Sequence, residues 1–294
     1  MAKEIYGYIN QEYVNAIGNA HYTFNAVSFS SEDLNRCKKI AHSLYLDSLE
    51  AKDVSYYHNC SHGKVYNKAI DNLYTFGNVK IVRNASSILN NVSKQITTEE
   101  NPSLFTVFSD MGTDINSKVV KAPKILHVPN KVCDYSSFFL DHELAHCLKD
   151  LNYEENKYIK TLEEVIPIVV ELITAYENYD IRLFKFVCAS RMDMLYSNAH
   201  RFLNSYNEIK SGNLDDNEKR LYRFALEEDA CYLNSFYYAM GIFNAYLYNN
   251  ELVFSLVGQV LNGDITTNDL ITILSIEPTN DYNNGFNTIK KYCK

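Results

Sequence analysis

The chain has 294 residues, of which 46% are hydrophobic, enough to bury a sizeable core in one large domain or in two lobes around a cleft. Its net charge of -8, spread along the sequence, leaves no basic stripe for a phosphate backbone and excludes nucleic acid as the expected partner. No apolar run approaches the ~18 residues that span a bilayer, and the start MAKEIYGYINQEYVNAIG lacks an export-signal pattern, so the expectation is a cytoplasmic protein without a membrane partner.

Seven scattered cysteines, Cys37, Cys60, Cys133, Cys147, Cys188, Cys231 and Cys293, form no C-x-x-C pair and suit reduced thiols. Gly and Pro are scarce, 10 and 5, whereas Tyr reaches 24, and apolar residues recur at three- and four-residue spacing. The fold class expected is therefore mainly α with a small β-sheet, α+β.

In chain order, Ser30 and Asp33 precede an apolar series, Leu34, Cys37, Ala41 and Leu44, that predicts a capped amphipathic helix to about Leu49. His58-Asn59-Cys60-Ser61-His62 reads as a solvated polar loop rather than a metal site. Between Gly77 and Pro129 the runs 79–82 (VKIV), 104–108 (LFTVF) and 124–128 (KILHV) are β-prone and bounded by Asn, Gly and Pro, which predicts the small sheet. A soft boundary near Gly112 divides a mainly helical region, 1–111, holding the start of that sheet, from a second region, 112–294; a single domain throughout is the alternative. From Tyr135 helical periodicity persists, broken by 211–219 (SGNLDDNEK) and 262–269 (NGDITTND).

Residues 141–150 read DHELAHCLKD, and His142-Glu143-Leu144-Ala145-His146 is an H-E-x-x-H pattern. On a helix the two imidazoles stack one turn apart and can face one ion, while Glu143 between them reaches the water that the ion activates. Catalytic zinc takes a third protein ligand. A histidine six residues on is excluded, since Lys149 and Asn152 stand where that pattern needs Gly and His. The alternative is a glutamate on a second helix. Residues 161–177 (TLEEVIPIVVELITAYE) start at a capping Thr161 and carry Leu162, Val165, Val169 and Leu172 on an apolar stripe. Glu164 and Glu171 lie on one face amid them, and an acidic group on a buried face needs a partner, a cation above all. Glu163 reads as a solvated residue of the first turn.

Three segments carry a likeness. Residues 123–148 (PKILHVPNKVCDYSSFFLDHELAHCL), 164–171 (EVIPIVVE) and 236–248 (FYYAMGIFNAYLY) with 260–271 (VLNGDITTNDLI) resemble, in order, signature segments of the oligoendopeptidase F and thimet oligopeptidase family of zinc peptidases. The resemblance implies a zincin-type catalytic region with a helical C-terminal lobe, Zn2+ held by His142, His146 and Glu164, a supporting place for Glu171, and Glu143 as general base. It also implies a peptide or unstructured-protein substrate and a C-terminal tyrosine, Tyr238 first and Tyr232 second, donating to the oxyanion. The chain departs from the family in five ways, two of them Lys149 where many members have a further His and a shorter segment between His146 and Glu164. Ala145 replaces a Gly, the family's histidine upstream of these tyrosines is missing with Glu227, Glu228 and Asp229 in that region, and the chain is much shorter than typical members. Two other readings stand beside this one: a catalytically degenerate zincin-like binding protein, supported by the missing histidine, and a regulatory protease of one specific intracellular protein.

Overall fold

A computed structural model describes residues 62–76, 118–121, 124–127, 136–152, 162–178, 181–276 and 280–292. The described chain is mostly helical. In order it runs α1 (His62–Tyr74), β1 (Lys118–Lys121), β2 (Lys124–His127), α2 (Ser136–Asn152), α3 (Val165–Glu177), α4 (Ile181–Ser211), α5 (Asp216–Tyr248), α6 (Asn250–Leu261), α7 (Thr267–Ile273) and α8 (Asn280–Tyr292). The strands form a two-stranded antiparallel ladder, with Lys118 opposite His127 and Lys121 opposite Lys124. The expected helix at 30–49, the runs at 79–82 and 104–108 and the boundary near Gly112 lie outside the described residues. His62, read from sequence as part of a loop, opens α1. No described helix is long and apolar enough to cross a membrane.

Helix α3 is at the centre of the described helices. Every residue from Val165 to Ala175 is buried, because Ile166, Ile168, Val170 and Ile173 add apolar surface to the faces that the predicted stripe leaves out. A helix apolar all round must be covered on all sides, and α2, α4 and α5 pack around it. The helix begins later than the sequence pattern suggests: Glu164 is its N-cap residue, and the first intrahelical bond runs from Ile168 N–H to the Glu164 carbonyl at 3.1 Å. Pro167 therefore sits in the first turn, where a backbone N–H has no helical partner to lose. Thr161, the expected cap, lies outside the described residues.

The two polar breaks behave as punctuation. Gly212, at φ 74°, follows the end of α4 in the left-handed region that glycine tolerates. Asp215 then caps α5 by a reciprocal box: its side chain accepts from Glu218 N–H and the Glu218 side chain accepts from Asp215 N–H, both at 2.9 Å. Thr266 and Asp269 repeat the device at the start of α7. The 33-residue α5, about 50 Å long, is the spine against which α3, α4, α6 and α8 pack. A side chain at Gly285 would overlap the Met240 carbonyl oxygen, so glycine is what lets α8 lie this close to α5.

Candidate metal centre

Helix α2 buries Phe138, Leu140, Leu144, Ala145 and Leu148, and that burial sets its rotation. His142 and His146, one turn apart, project together from it, with ring centroids 5.1 Å apart and planes at 74°. Glu164 reaches them from the start of α3: its Oε2 lies 3.0 Å from His142 Nε2 and 3.2 Å from His146 Nε2. The three side chains are buried, and one ligand atom from each falls within 4.8 Å of the others. Tetrahedral coordination at zinc-like bond lengths puts neighbouring ligand atoms about 3.3 Å apart, so two imidazole nitrogens and one carboxylate oxygen at these separations are a donor set that fits a metal ion. Glu163, next in sequence to Glu164, is half-buried and does not belong to this group.

Glu164 is fixed by its backbone as well as by its side chain, since its N–H donates to Ser235 Oγ on α5 at 3.2 Å. Glu171, two turns along α3, approaches the other face of His142, with Oε2 3.4 Å from Nδ1. Arg191 of α4 closes the arrangement: it pairs with that same Glu171 oxygen, and its Nη2 lies 3.2 Å from His142 Nδ1. Behind the histidines, Asp141 is fully buried and accepts hydrogen bonds from Asn72 Nδ2 at 2.7 Å and Thr174 Oγ1 at 3.2 Å, which ties α1, α2 and α3 together.

Charge organises the site. Burial and the Arg191 charge oppose protonation of His142, but hydrogen bonds to Glu164 and Glu171 outweigh them and raise its pKa to about 9. Burial pushes Glu164 upward, yet the neighbouring His146 and His142 hold its carboxyl well below the usual range. Glu171 is likewise lowered, Arg191 overcoming the cost of burial. Asp141 is raised well above the usual carboxylate range, because burial exceeds the help of its hydrogen bonds and Glu171 repels its charge.

The structure brings His142, His146 and Glu164 together, with Glu143 half-buried on the same helix. The two tyrosines of the resemblance differ in their surroundings. The charge of Glu164, then burial and the charge of Glu143, push the pKa of the Tyr232 phenol up. Tyr238 packs against the apolar core with its ring 5.5 Å from that of Tyr237. Six residues on a helix amount to 600° of rotation, so the two phenols point in directions about 120° apart, one on each side of Ser235, which touches Glu164. Sequence reading missed Arg191, Asp141 and Ser235. Arg191 carried one usable signal, a cation beside the apolar residues Phe186, Val187, Cys188, Ala189 and Met192, all of them buried. Cys188 and Cys231 are buried. No protein-family model, curated protein or solved structure matches this chain.

Proposed function

We propose that this chain is a zinc-dependent peptidase of the gluzincin type, with Zn2+ held by His142, His146 and Glu164. The observation that carries the reading is the convergence of three buried ligand-type side chains from two helices, two of them spaced as H-E-x-x-H. Imidazole and carboxylate donors in this number suit zinc and leave a position open. A bound zinc ion supplies a Lewis acid that polarises the scissile carbonyl and makes water acidic near neutral pH. Glu143 takes the proton from the attacking water and passes it to the leaving amine. Tyr232, kept protonated by the carboxylates beside it, donates from its phenol to the developing oxyanion. This assigns to Tyr232 the role that the family resemblance gives first to Tyr238. The β1–β2 ladder ahead of α2 belongs, on this reading, to a zincin-type catalytic region. The substrate is a short or unstructured peptide, and the site of action is the cytoplasm.

The experiment is a mixed-peptide digestion by the zinc-loaded chain and by Glu143→Gln, with zinc measured in both. Cleavage by the parent, lost in Glu143→Gln at unchanged zinc content, is the expected result. Zinc without cleavage in either chain would replace this reading with that of a zincin-like binding protein.

A further inference from the structure

We propose that Arg191 is a positioning residue of the metal centre, acting through Glu171 to present His142 Nε2 to the ion; the inference rests on the metal-centre reading above. Arg191 lies on α4, which contributes no ligand, yet its guanidinium is buried, with 6% of its side chain exposed, beside a fully buried Glu171. A buried pair of this kind is costly to assemble from separated, hydrated ions and is weak evidence for stability alone. Its placement suits another purpose. The imidazole that turns Nε2 to Glu164 at 3.0 Å turns Nδ1 to Glu171 Oε2 at 3.4 Å, and Arg191 pairs with that same oxygen.

Two neighbours therefore compete for His142 Nδ1. Glu171 can only accept there while ionised, which puts the hydrogen on Nδ1 and leaves the Nε2 lone pair for a metal. Arg191, with Nη2 3.2 Å away, can only donate, and a bond from it to Nδ1 would leave the hydrogen on Nε2 and block coordination. The Arg191–Glu171 pairing favours the first arrangement, because the guanidinium holds the carboxylate in line with the ring and gives it a hydrogen bond of its own. The remainder of Arg191 fits a side chain anchored at one end only: Nη1 donates to Met194 Sδ at 3.2 Å, a poor acceptor, and Nε has no hydrogen-bond partner among the described residues. Glu171 is thus the one strong acceptor described for this cation.

The test is a zinc titration against a chromophoric chelator on the full chain, with Arg191→Met, Arg191→Lys, Glu171→Met and the Arg191→Met/Glu171→Met double variant. Folding is followed by circular dichroism with the metal chelated. Groups that orient a metal-bound histidine are worth about 10–100-fold in affinity, so Arg191→Met should bind zinc at least ten-fold more weakly than the parent. Arg191→Lys should fall between the two, since it keeps the charge and loses the placement of Nη2 against Glu171 Oε2. Glu171→Met should lose as much or more, and the double variant should be no worse than Glu171→Met, because both residues act through one contact. The visible band of the cobalt(II)-loaded protein should shift in Arg191→Met, a change that a purely structural arginine would not cause. If Arg191→Met does not fold, Arg191→Lys and the double variant, in which an apolar pair replaces the ion pair, decide the matter. Affinity within two-fold of the parent in folded Arg191→Met or Arg191→Lys would overturn the proposal, as would a loss that adds in full to that of Glu171→Met. Failure of the parent chain to bind any metal would instead overturn the metal-centre reading, and this inference with it.

Discussion

The backbone N–H of Glu164 donates to Ser235 Oγ at 3.2 Å, a bond between residues 71 apart in sequence that fixes the start of α3 against α5. The third candidate ligand thus inherits its position from a helix that supplies no ligand. Ser235→Ala leaves the Glu164 N–H buried without this partner, a change that typically costs about 1–3 kcal/mol. The expected outcome is a lower melting temperature together with weaker zinc binding, read by thermal denaturation with and without chelator. Equal stabilisation of parent and variant by zinc would show that Ser235 does not hold the ligand in place.

The helix phase makes a sharp distinction between adjacent glutamates. Glu164→Gln removes a carboxylate oxygen lying 3.0 and 3.2 Å from the two imidazoles and is expected to abolish tight zinc binding. Glu163→Gln, outside the converging group, is expected to keep it. Inductively coupled plasma measurements on the dialysed proteins check both, and the reverse pattern would place the ligand one residue earlier.

Metal binding should be linked to pH through His142. In the metal-free chain its pKa is raised from 6.5 to about 9, so the imidazolium contributes stability that is fully present below about pH 6.5 and is lost as pH rises through about 9. Coordination requires the neutral ring, so zinc must displace that proton. Apparent zinc affinity is therefore expected to climb between pH 6.5 and 9, with proton uptake by the buffer on binding. Calorimetry in two buffers of different ionisation enthalpy measures the proton count, and a count of zero at neutral pH would contradict the charge state assigned to His142.

The two tyrosines separate by kinetics. Tyr232→Phe is expected to keep fold and zinc while lowering kcat by ~10²–10³-fold with little change in KM, the mark of a donor used in the transition state. Tyr238→Phe, whose ring packs in the apolar core, is expected to retain turnover close to the parent. A full-activity Tyr232→Phe would move the oxyanion donor elsewhere in the site.

What the sequence disclosed and what it withheld divide along physical lines. His142 and His146 were legible because a four-residue spacing on a helix needs no tertiary information to become a shared face. Glu164 and Glu171 were both legible as carboxylates on an apolar face that demand a partner, and only the family resemblance chose Glu164 between them; the burial of Val165 to Ala175 on every side exceeds the single stripe expected. The breaks at Gly212 and Asp215, and at Gly263 and Thr266, carry their own turn and capping chemistry. Arg191 and Asp141 were opaque: their partners lie 20 residues away at Glu171 and 69 away at Asn72, and only the packing of α1, α2, α3 and α4 brings them together. The effect of the Glu164 and Glu143 charges on Tyr232 depends on the rotation of α5 against α3, which local periodicity does not specify.

The central claim is that His142, His146 and Glu164 form one metal centre. Its most direct test is a zinc titration of the chelator-stripped full chain, monitored by the competing chelator, in parallel with His142→Ala. One tightly bound zinc per parent chain, with none in the variant, is the predicted result. A parent chain that takes up no zinc, or one whose tight site survives His142→Ala, would contradict the account.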